Sequence, residues 1–498
     1  MSLQQLYLEL LVGGLVLLVS IVATRAASRL GLPSLLLFLG LGVLLGEDVI
    51  GVRFDDAQLA QNLGTAALAI ILVEGGLTTP WSDIRSVLAP ASVLATLGVG
   101  ISTVITAAGA HLLLGFGWQT ALLLGASVSS TDAAAVFSIL RVLPLPKRVA
   151  GLLEAESGFN DAPTVVLVLI FSETPFHLSA GPLIGKMAYE LAAGAAIGLA
   201  LGWLGARALP RFALPASGLY PLAIFGLCVV GFSAAGVAQA SGFLAAYLAA
   251  LVLGNTGLPH RAATRSFAEG LAWLAQIGLF VLLGLLVTPS QLPHVLLPAL
   301  VVGLVLLLVA RPLAVLLCLV PFRFPVREQV FLSWGGLRGA VPIVLATFAV
   351  VRGAPEGGRL LNTVFVLVVI FTVVQGPSLA PLARLLKLSP RESTREILVE
   401  AAPLDVLDAE LLTMTIPPGS RLHSVSVLEL RLPDPSVITL IIRESHTFVP
   451  GRDTQLRTGD EMLIVTTRSR REITERRLRA VSRKGPLAHW FNEIGGAD

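Results

Sequence analysis

Seven ionisable side chains lie inside long apolar stretches of the first 390 residues, and they are the first candidates for chemistry. They are Glu74, Asp132, Glu154, Glu156, Asp161, Arg311 and Arg338. A charged group at the middle of a bilayer costs about 2.5 to 3.5 kcal/mol even on the lenient insertion scale, so such residues are retained for function or for pairing. Hard cations take oxygen ligands, and a carboxylate removed from water also takes up a proton more readily. One such carboxylate can therefore bind a proton and a cation by turns.

The stretch from Glu154 to Asp161 places several of these oxygens on one helical face. Ser157 and Asp161 stand at i and i+4, with Glu154 three residues before Ser157. Glu156 and Asn160 share the adjacent stripe. We therefore predict a cation and proton site on this face. The alternatives are a purely structural pairing for Asp161 and a surface position for Glu154, which lies nearer the predicted cytoplasmic end.

A polar run at residues 127–135 interrupts the fifth apolar stretch and contains Asp132. A continuous lipid-facing helix would not tolerate this run. We predict a broken helix whose freed carbonyls and hydroxyls line a wet cavity. The alternative is a polar seam in which Ser and Thr side chains hydrogen-bond between helices.

A second interruption is predicted at residues 333–342, where Gly and Pro stand inside an apolar stretch. A matched pair of interrupted helices in the two halves of a chain is typical of inverted repeats. Arg338 in this stretch requires a buried anionic partner, and Glu156 is the predicted one. A structural ion pair is favoured over direct contact with a substrate.

The composition indicates that these elements are transmembrane helices. The chain is 55% hydrophobic and 13% charged, whereas soluble domains carry about a quarter of their residues as charged ones. Residues 391–498 hold 31 of the 67 charged residues, which predicts a water-soluble tail. Cys228 and Cys318 lie in apolar segments and indicate neither a disulfide framework nor a thiolate metal site. We expect no cofactor, and surplus arginines near the membrane suit lipid phosphate rather than nucleic acid.

Thirteen stretches are candidates for membrane spans, for which about 20 apolar residues are needed. They are residues 6–24, 31–47, 60–78, 88–114, 119–141, 149–172, 184–208, 218–238, 241–257, 268–288, 293–320, 328–351 and 360–385. Basic loop residues then divide fourteen to four between the two sides, which predicts a cytoplasmic C-terminus and an N-terminus outside. The expected fold class is an all-α polytopic protein of the cytoplasmic (inner) membrane, with inverted repeats and interrupted helices, followed by a small cytosolic α+β domain.

The tail alternates apolar and polar stretches cut by Pro and Gly, a pattern typical of short strands. We assign residues 1–390 to the membrane domain, 391–404 to a linker, 405–467 to a regulatory domain and 468–498 to a basic tail. The basic tail is helix-prone and is predicted to present a solvated or lipid-facing surface.

Three motifs resemble signatures of the cation/proton antiporter family that includes the NhaP-type exchangers. They are Ser130-Thr131-Asp132, Glu156-Ser157-Gly158-Phe159-Asn160-Asp161 and Gly335-Gly336-Leu337-Arg338-Gly339-Ala340-Val341. Further matches at residues 72–77, 241–247 and 253–255 extend the resemblance over most of the first 390 residues. The resemblance implies exchange of K⁺ or Na⁺ for protons in cation and pH homeostasis. It also implies thirteen spans, a homodimer and a core that moves against a dimerisation domain in an elevator-like displacement.

The resemblance further implies roles for the polar residues of the site. Asp161 would exchange cation and proton, with Ser157 and the Thr131 backbone as further ligands of the monovalent cation. Asp132 would act through water, and Glu74 would border the site.

The remaining motif residues would support this site. By the same resemblance, Asn160 orients neighbouring groups, and Glu156 with Arg338 braces the fold as an ion pair. Gly158 and Ala162 depart from the usual pattern beside the site, so the motif alone leaves the cation preference open.

Three stretches of the tail resemble the TrkA-C domain of potassium channel and transporter regulators, over about residues 405–467. They are residues 415–420, 428–433 and 456–463. A fused TrkA-C domain is similar to what potassium/proton NhaP-type members carry, so K⁺ is favoured over Na⁺. The resemblance implies that the domain pairs and binds a small ligand, although no Gly-rich phosphate loop identifies that ligand.

A ligand-gated potassium channel is the main alternative function, because TrkA-C domains also accompany channels. The sequence lacks a Thr-Val-Gly-Tyr-Gly filter, and a channel needs no titratable carboxylate at its binding site. An intramembrane hydrolase is the second alternative, but Ser157 and Ser241 have no evident His partner within the apolar core. Antiport, a transport activity rather than an enzymatic one, is therefore the predicted function.

Overall fold

The computed structural model describes residues 3–30, 34–52, 54, 56–132, 135–136, 143, 145–173, 180–212, 214–388, 399–404, 409–444, 446–467 and 469–485. The chain divides into two compact units, Met1–Ser389 and Pro390–Asp498. The first unit is helical, and the second contains the only β-sheet among the described residues.

The first unit consists of helices joined by short connections. They are α1 (Leu3–Leu30), α2 (Ser34–Leu45), α3 (Ala57–Thr78), α4 (Leu88–Leu114), α5 (Trp118–Ser129), α6 (Lys147–Phe159), α7 (Asp161–Phe171), α8 (Ala180–Ala208), α9 (Leu219–Val237), α10 (Gly242–Gly254), α11 (Arg261–Leu285), α12 (Pro289–Phe322), α13 (Val326–Trp334), α14 (Ala340–Val351) and α15 (Gly357–Leu385).

Local side-chain signals set several of these helix ends. The Asp56 carboxylate accepts a hydrogen bond from the Leu59 N–H at 2.8 Å and so caps the start of α3. Ser241 caps α10 in the same way. Helix α4 ends at Gly115, whose φ of +71° suits glycine.

Apolar helices of membrane-spanning length dominate the first unit. Within the described part of the chain, eight helices are long and apolar enough to cross a membrane, and α2, α10 and α14 are shorter apolar helices. The polytopic all-α prediction is therefore confirmed. The count of thirteen spans stays a prediction, because interrupted spans do not appear as single long helices.

The helices of the first unit pack as two bundles. Helices α4–α7 and α12–α15 pack mainly against one another and form what we call the core bundle. Helices α1–α3 and α8–α11 form the flanking bundle. The two bundles meet mainly where α3 lies against α14, with sparser contacts from α10 to α6 and α7. The ionisable motifs all fall in the core bundle, except Glu74 on α3.

Both predicted interruptions occur in the core bundle. Helix α5 ends at Ser129, and Ser130 is extended (φ −71°, ψ 140°). Residues 133–134 and 137–141 of this predicted span lie outside the described residues. The second break separates α13 from α14 at residues 335–339.

The second unit is a five-stranded sheet with helices. Its strands are β1 (Val399–Leu404), β2 (Ala409–Thr415), β3 (Val437–Arg443), β4 (His446–Phe448) and β5 (Glu461–Thr467), in the order β1-β2-β5-β3-β4, and all described pairings are antiparallel. Alternating residues of β5, including Met462 and Ile464, point into the apolar core. This alternation is the pattern from which the strands of the tail are predicted.

The folded part of the second unit extends past the predicted domain bounds of 405–467 at both ends. Strand β1 lies within the predicted linker and pairs along its length with β2. Helix α16 (Arg471–Lys484) lies in the predicted basic tail and buries Leu478 and Val481 in the core. The apolar stripe of α16 is narrow and most of the helix is polar or basic, so the sequence alone indicates a solvated helix.

Candidate cation and proton site

The two interrupted spans cross in the middle of the core bundle and bond to each other there. The Asp132 N–H donates to the Leu337 carbonyl at 2.9 Å. The Ala340 N–H, at the start of α14, donates to Asp132 Oδ2 at 2.6 Å. In the opposite direction, Arg338 Nη1 donates to the Ser129 carbonyl at 2.7 Å, at the end of α5. One carboxylate and one guanidinium thus link the two spans where they cross.

Each of these two charges is opposite in sign to the partial charge of the helix end that it contacts. A helix N-terminus carries partial positive charge and unpaired N–H groups, and a C-terminus carries partial negative charge and unpaired carbonyls. Asp132 lies at the N-terminus of α14, and Arg338 lies at the C-terminus of α5. Both side chains are almost fully buried, so the helix ends replace the water that each charge has lost.

Asp161 faces the unwound residues that follow α5. Its Oδ1 accepts a hydrogen bond from the Ser130 hydroxyl at 2.6 Å. The neighbouring Asn160 Nδ2 donates to Thr131 Oγ1 at 2.5 Å, which ties the junction of α6 and α7 to the same unwound segment. The Asp161 side chain is buried, with 2% of the residue exposed. The structure therefore places Asp161 and Asn160 against Ser130 and Thr131, next to Asp132 in the chain, and the ion-binding roles of these residues stay predictions.

The predicted ion pair between Glu156 and Arg338 is wrong. Glu156 instead pairs with Arg311 of α12, whose Nη1 and Nη2 lie 2.5 and 2.8 Å from the two carboxylate oxygens. Arg311 also donates to the Leu332 carbonyl at 3.3 Å, near the end of α13. Arg338 instead donates to the C-terminal carbonyl of α5. The bracing role predicted for Glu156 is thus performed with a different arginine.

Two glycines of the second interruption permit these contacts. A Cβ at Gly339 would lie 1.7 Å from Asp132 Oδ2, and a Cβ at Gly336 would lie 3.0 Å from Arg311 Nε. The first separation is impossible, and the second is tight. The glycine-rich sequence here thus makes room for the two charged side chains that cross it.

Three further residues predicted for the site lie on α6 and α3. The Ser157 hydroxyl is fully buried and donates to the Glu154 carbonyl at 3.1 Å. Glu74 is buried on α3, in the flanking bundle. Glu154 is partly exposed. The cation-binding roles predicted for Ser157 and Glu74 remain predictions.

Sequence reasoning missed the partnerships of Ser130 and Arg311. Ser130 stands in the polar run at residues 127–135, but the sequence does not show that its hydroxyl contacts Asp161. Arg311 was recognised as an intramembrane charge without a partner. Its immediate context, Leu306–Ala310 as a π-helical turn, is a frequent feature of functional sites.

Comparison with known proteins identifies both units. The family model described as sodium/hydrogen exchanger, transmembrane, matches residues 15–385, and the TrkA-C domain model matches residues 411–478. The K⁺/H⁺ antiporter NhaP of Alkalimonas amylolytica is 40% identical over 470 residues, which cover 92% of this chain and 81% of that protein. The K⁺/H⁺ antiporter NhaP2 of Shewanella sp. (strain MR-4) is 38% identical over 465 residues, which cover 91% and 80%.

A solved structure shares the fold of the first unit. The sodium proton antiporter MjNhaP1 from Methanocaldococcus jannaschii at pH 8 aligns with a TM-score of 0.66 and 23% identity, covering 76% of this chain and 99% of that one. The shared helical fold and the family match along 15–385 agree. The chain therefore belongs to the transmembrane sodium/hydrogen exchanger family and carries a TrkA-C domain after its membrane unit.

Proposed function

We propose that this multi-pass membrane protein, a cation/proton antiporter, exchanges one K⁺ for one H⁺ and that Asp161 binds the two ions alternately. Antiport is the activity of the curated relatives along nearly the whole chain. The cation, the stoichiometry and the residue roles are the parts that we propose.

The charge balance of the core bundle is the observation that supports this proposal. Among the described residues, its buried acidic and basic side chains are the carboxylates Asp132, Glu156 and Asp161 and the guanidiniums Arg311 and Arg338. With all five ionised, the bundle holds one uncompensated negative charge. A single K⁺ or a single proton cancels it. An uncompensated charge in a low-dielectric interior is costly. The core bundle therefore moves between its two positions in the membrane most readily with one of these two ions bound.

Asp161 is the carboxylate that changes its occupant. Glu156 is held by two hydrogen bonds from Arg311, and Asp132 accepts from the first N–H of α14. Asn160 does not titrate. Among the described residues, the side chain that donates a hydrogen bond to Asp161 is Ser130, which is neutral. The negative charge of Asp161 is therefore the one that a cation or proton is needed to balance.

The proposed cation ligands are oxygens around Asp161. They include its carboxylate, the Ser130 and Ser157 hydroxyls and the Thr131 backbone oxygen, with Asp132 acting through water and Glu74 bordering from α3. Ser130 joins the predicted set because of its 2.6 Å contact with Asp161. Oxygen ligands suit a hard monovalent cation.

K⁺ is the proposed cation because the K⁺/H⁺ relatives match over both units. The Na⁺/H⁺ antiporter NhaS2 of Synechocystis sp. (strain ATCC 27184 / PCC 6803 / Kazusa) is 30% identical and covers only 65% of this chain. We further propose a homodimer in the cytoplasmic membrane, with the N-terminus outside, the TrkA-C domain in the cytosol and the core bundle moving against the flanking bundle. The 14-to-4 distribution of basic loop residues supports this orientation.

Purified protein in liposomes provides the test. A pH gradient should be dissipated on addition of K⁺, and more weakly by Na⁺ or Li⁺, while Asp161→Asn protein at equal density gives the baseline. Dissipation by Na⁺ but not by K⁺ would reject the cation assignment. The potassium channel alternative predicts a different outcome in the same vesicles, because a channel passes K⁺ down a membrane potential without moving protons.

A further inference from the structure

One stripe of the α6–α7 helix passes from a partly exposed carboxylate to the buried cation site. Glu154, Gly158 and Asp161 stand at i, i+4 and i+7, and Asn160 keeps helical backbone angles (φ −74°, ψ −19°) between the two helices. Glu154 is partly exposed, whereas Gly158 is buried and Asp161 is 2% exposed. Along this stripe, surface exposure ends between Glu154 and Asp161.

The ring of Tyr247 covers the stripe at that point. A Cβ at Gly158 would lie 2.7 Å from both Cε2 and Cζ of Tyr247, so the ring fills the volume that any larger side chain at position 158 would need. The same ring meets Phe159 edge to face, with centroids 5.5 Å apart. Tyr247 itself is fully buried. Gly158 is therefore a notch, and the tyrosine ring occupies it.

The notch and the ring belong to different bundles. Gly158 is on α6 of the core bundle, whereas Tyr247 is on α10, which packs against α3, α8 and α9 of the flanking bundle. Contacts between α10 and α6 are few. A displacement of one bundle along the other must therefore move the ring out of the notch.

The Tyr247 hydroxyl interacts with Glu154, at the exposed end of the stripe. Its other polar neighbour among the described residues is Thr79. A buried tyrosine hydroxyl normally has a partner. Thr79 is placed to be that partner while the ring is seated, and water from the Glu154 side can replace it when the ring leaves the notch.

We propose that Tyr247, seated in the Gly158 notch, is the gate that closes the cation site from the Glu154 side of the membrane. This inference rests on the proposed function, in which Asp161 is the ion-binding carboxylate and the two bundles slide. The proposed topology places that side in the cytoplasm. Tyr247 is a positioning residue, since it controls access to Asp161 and is not itself an assigned ligand.

Cysteine accessibility tests the gate without measuring exchange. In full-length protein with Cys228 and Cys318 replaced by Ala, Ser157→Cys lies inside the gate and Glu154→Cys lies outside it. With Tyr247 present, a small water-soluble methanethiosulfonate should modify position 154 much faster than position 157. Tyr247→Ala should raise the rate at 157 by about tenfold or more, as expected when an open minor state grows by that factor, and leave the rate at 154 unchanged. Tyr189→Ala, an exposed tyrosine of α8, should change neither rate.

An unchanged rate at position 157 in Tyr247→Ala would overturn the gate, as would equal rates at 154 and 157 in the starting protein. Both outcomes are independent of whether the protein exchanges K⁺. Loss of antiport in vesicles, by contrast, would reject the proposed function and leave the labelling result standing. The two failures are thus distinguishable.

A size exchange between the two positions tests the same contact by activity. Gly158→Leu should reduce cation-driven proton flux by about tenfold or more, because the leucine and the ring cannot share the notch. The double variant Gly158→Leu/Tyr247→Ala should recover most of that loss, since the space vacated by the ring accommodates leucine. Gly100→Leu, at a position with nothing within 4 Å of a Cβ, controls for a general intolerance of leucine.

Near-normal flux in Gly158→Leu would contradict the notch, and so would a double variant that is as inactive as Gly158→Leu alone. If Gly158→Leu is recovered as aggregate, Gly158→Ala replaces it in the same pair, with the midpoint of thermal unfolding measured beside the flux. Restoration by Tyr247→Ala is again required.

Discussion

At the scale of single residues, the candidate site contains carboxylates held by arginine or a helix end and one carboxylate, Asp161, that we propose to be exchangeable. Arg311 fixes Glu156 through two hydrogen bonds, and the start of α14 fixes Asp132. Asp161 is bonded to a hydroxyl, which can remain in place whether the carboxylate holds a proton or a cation. Residue types and spacing predict Asp161 and its neighbours as the ion-binding site, and that assignment stays a prediction. They were not enough to pair the two arginines, because the sequence does not show which buried arginine reaches Glu156.

The Asp161→Asn variant should insert and fold but not exchange. The amide has nearly the same shape as the carboxylate and can still contact Ser130, yet it neither carries the proton nor balances a cation. Cation-dependent proton flux in vesicles should fall to that of protein-free liposomes. Flux at the wild-type rate would remove Asp161 from the site.

Removing Glu156 should affect stability more than cation affinity. Glu156→Ala leaves Arg311 buried without its carboxylate, and loss of one member of a buried pair costs about 3 to 5 kcal/mol. Arg311→Met should be similarly harmful, whereas the double variant should be less destabilised than the sum of the two. Thermal unfolding of the purified proteins measures this, and strictly additive losses would show that the observed pair contributes no coupling.

At the scale of elements, two broken helices exchange caps across the middle of the bundle. The polar run and the Gly-Pro pattern predicted both helix breaks. Such sequences are poorly suited to a continuous lipid-facing helix, and a bilayer tolerates the unpaired backbone groups of a break only where protein or a wet cavity surrounds them. The caps themselves were not predictable. Asp132 and Arg338 are more than 200 residues apart in sequence, and only packing of the core bundle shows that each ends on the opposite helix.

The Gly339→Ala variant should disrupt this crossing. The new Cβ would lie 1.7 Å from Asp132 Oδ2, so the carboxylate must leave the N-terminus of α14 or the backbone must shift. Overpacking of this kind costs about 1 to 3 kcal/mol, and transport should fall with stability. The matched control is Gly226→Ala on α9, where a Cβ meets nothing within 4 Å; equal thermal midpoints for the two variants would contradict the predicted clash.

At the scale of the whole molecule, the chain combines a membrane unit with a separate soluble unit. Composition alone predicted this division, since charge density rises sharply after residue 390. The limits of the soluble fold were less predictable: β1 is held by pairing with β2, and α16 hides a narrow apolar stripe among arginines.

Truncation after Lys387 should leave a membrane unit that inserts and still exchanges K⁺ for H⁺, because every proposed ligand lies upstream. The pH at which exchange is half-maximal, or its response to cytosolic solutes, should change instead. Flux across a range of pH and K⁺ concentrations, compared with the full chain at equal density in the membrane, measures this. An inserted but inactive truncation under all conditions would mean that the TrkA-C domain is required for the transport cycle itself.

The central claim is that one carboxylate holds either one proton or one K⁺, so exchange carries no net charge. The most direct test uses purified protein in liposomes with equal pH and equal K⁺ on both sides, and with a membrane potential imposed by a second ion. The account predicts no net movement of K⁺ or protons through the protein under the potential, while a pH gradient alone drives K⁺ in the opposite direction to protons. Potential-driven accumulation of K⁺ coupled to proton flux would contradict it, and would show that a second carboxylate titrates during the cycle.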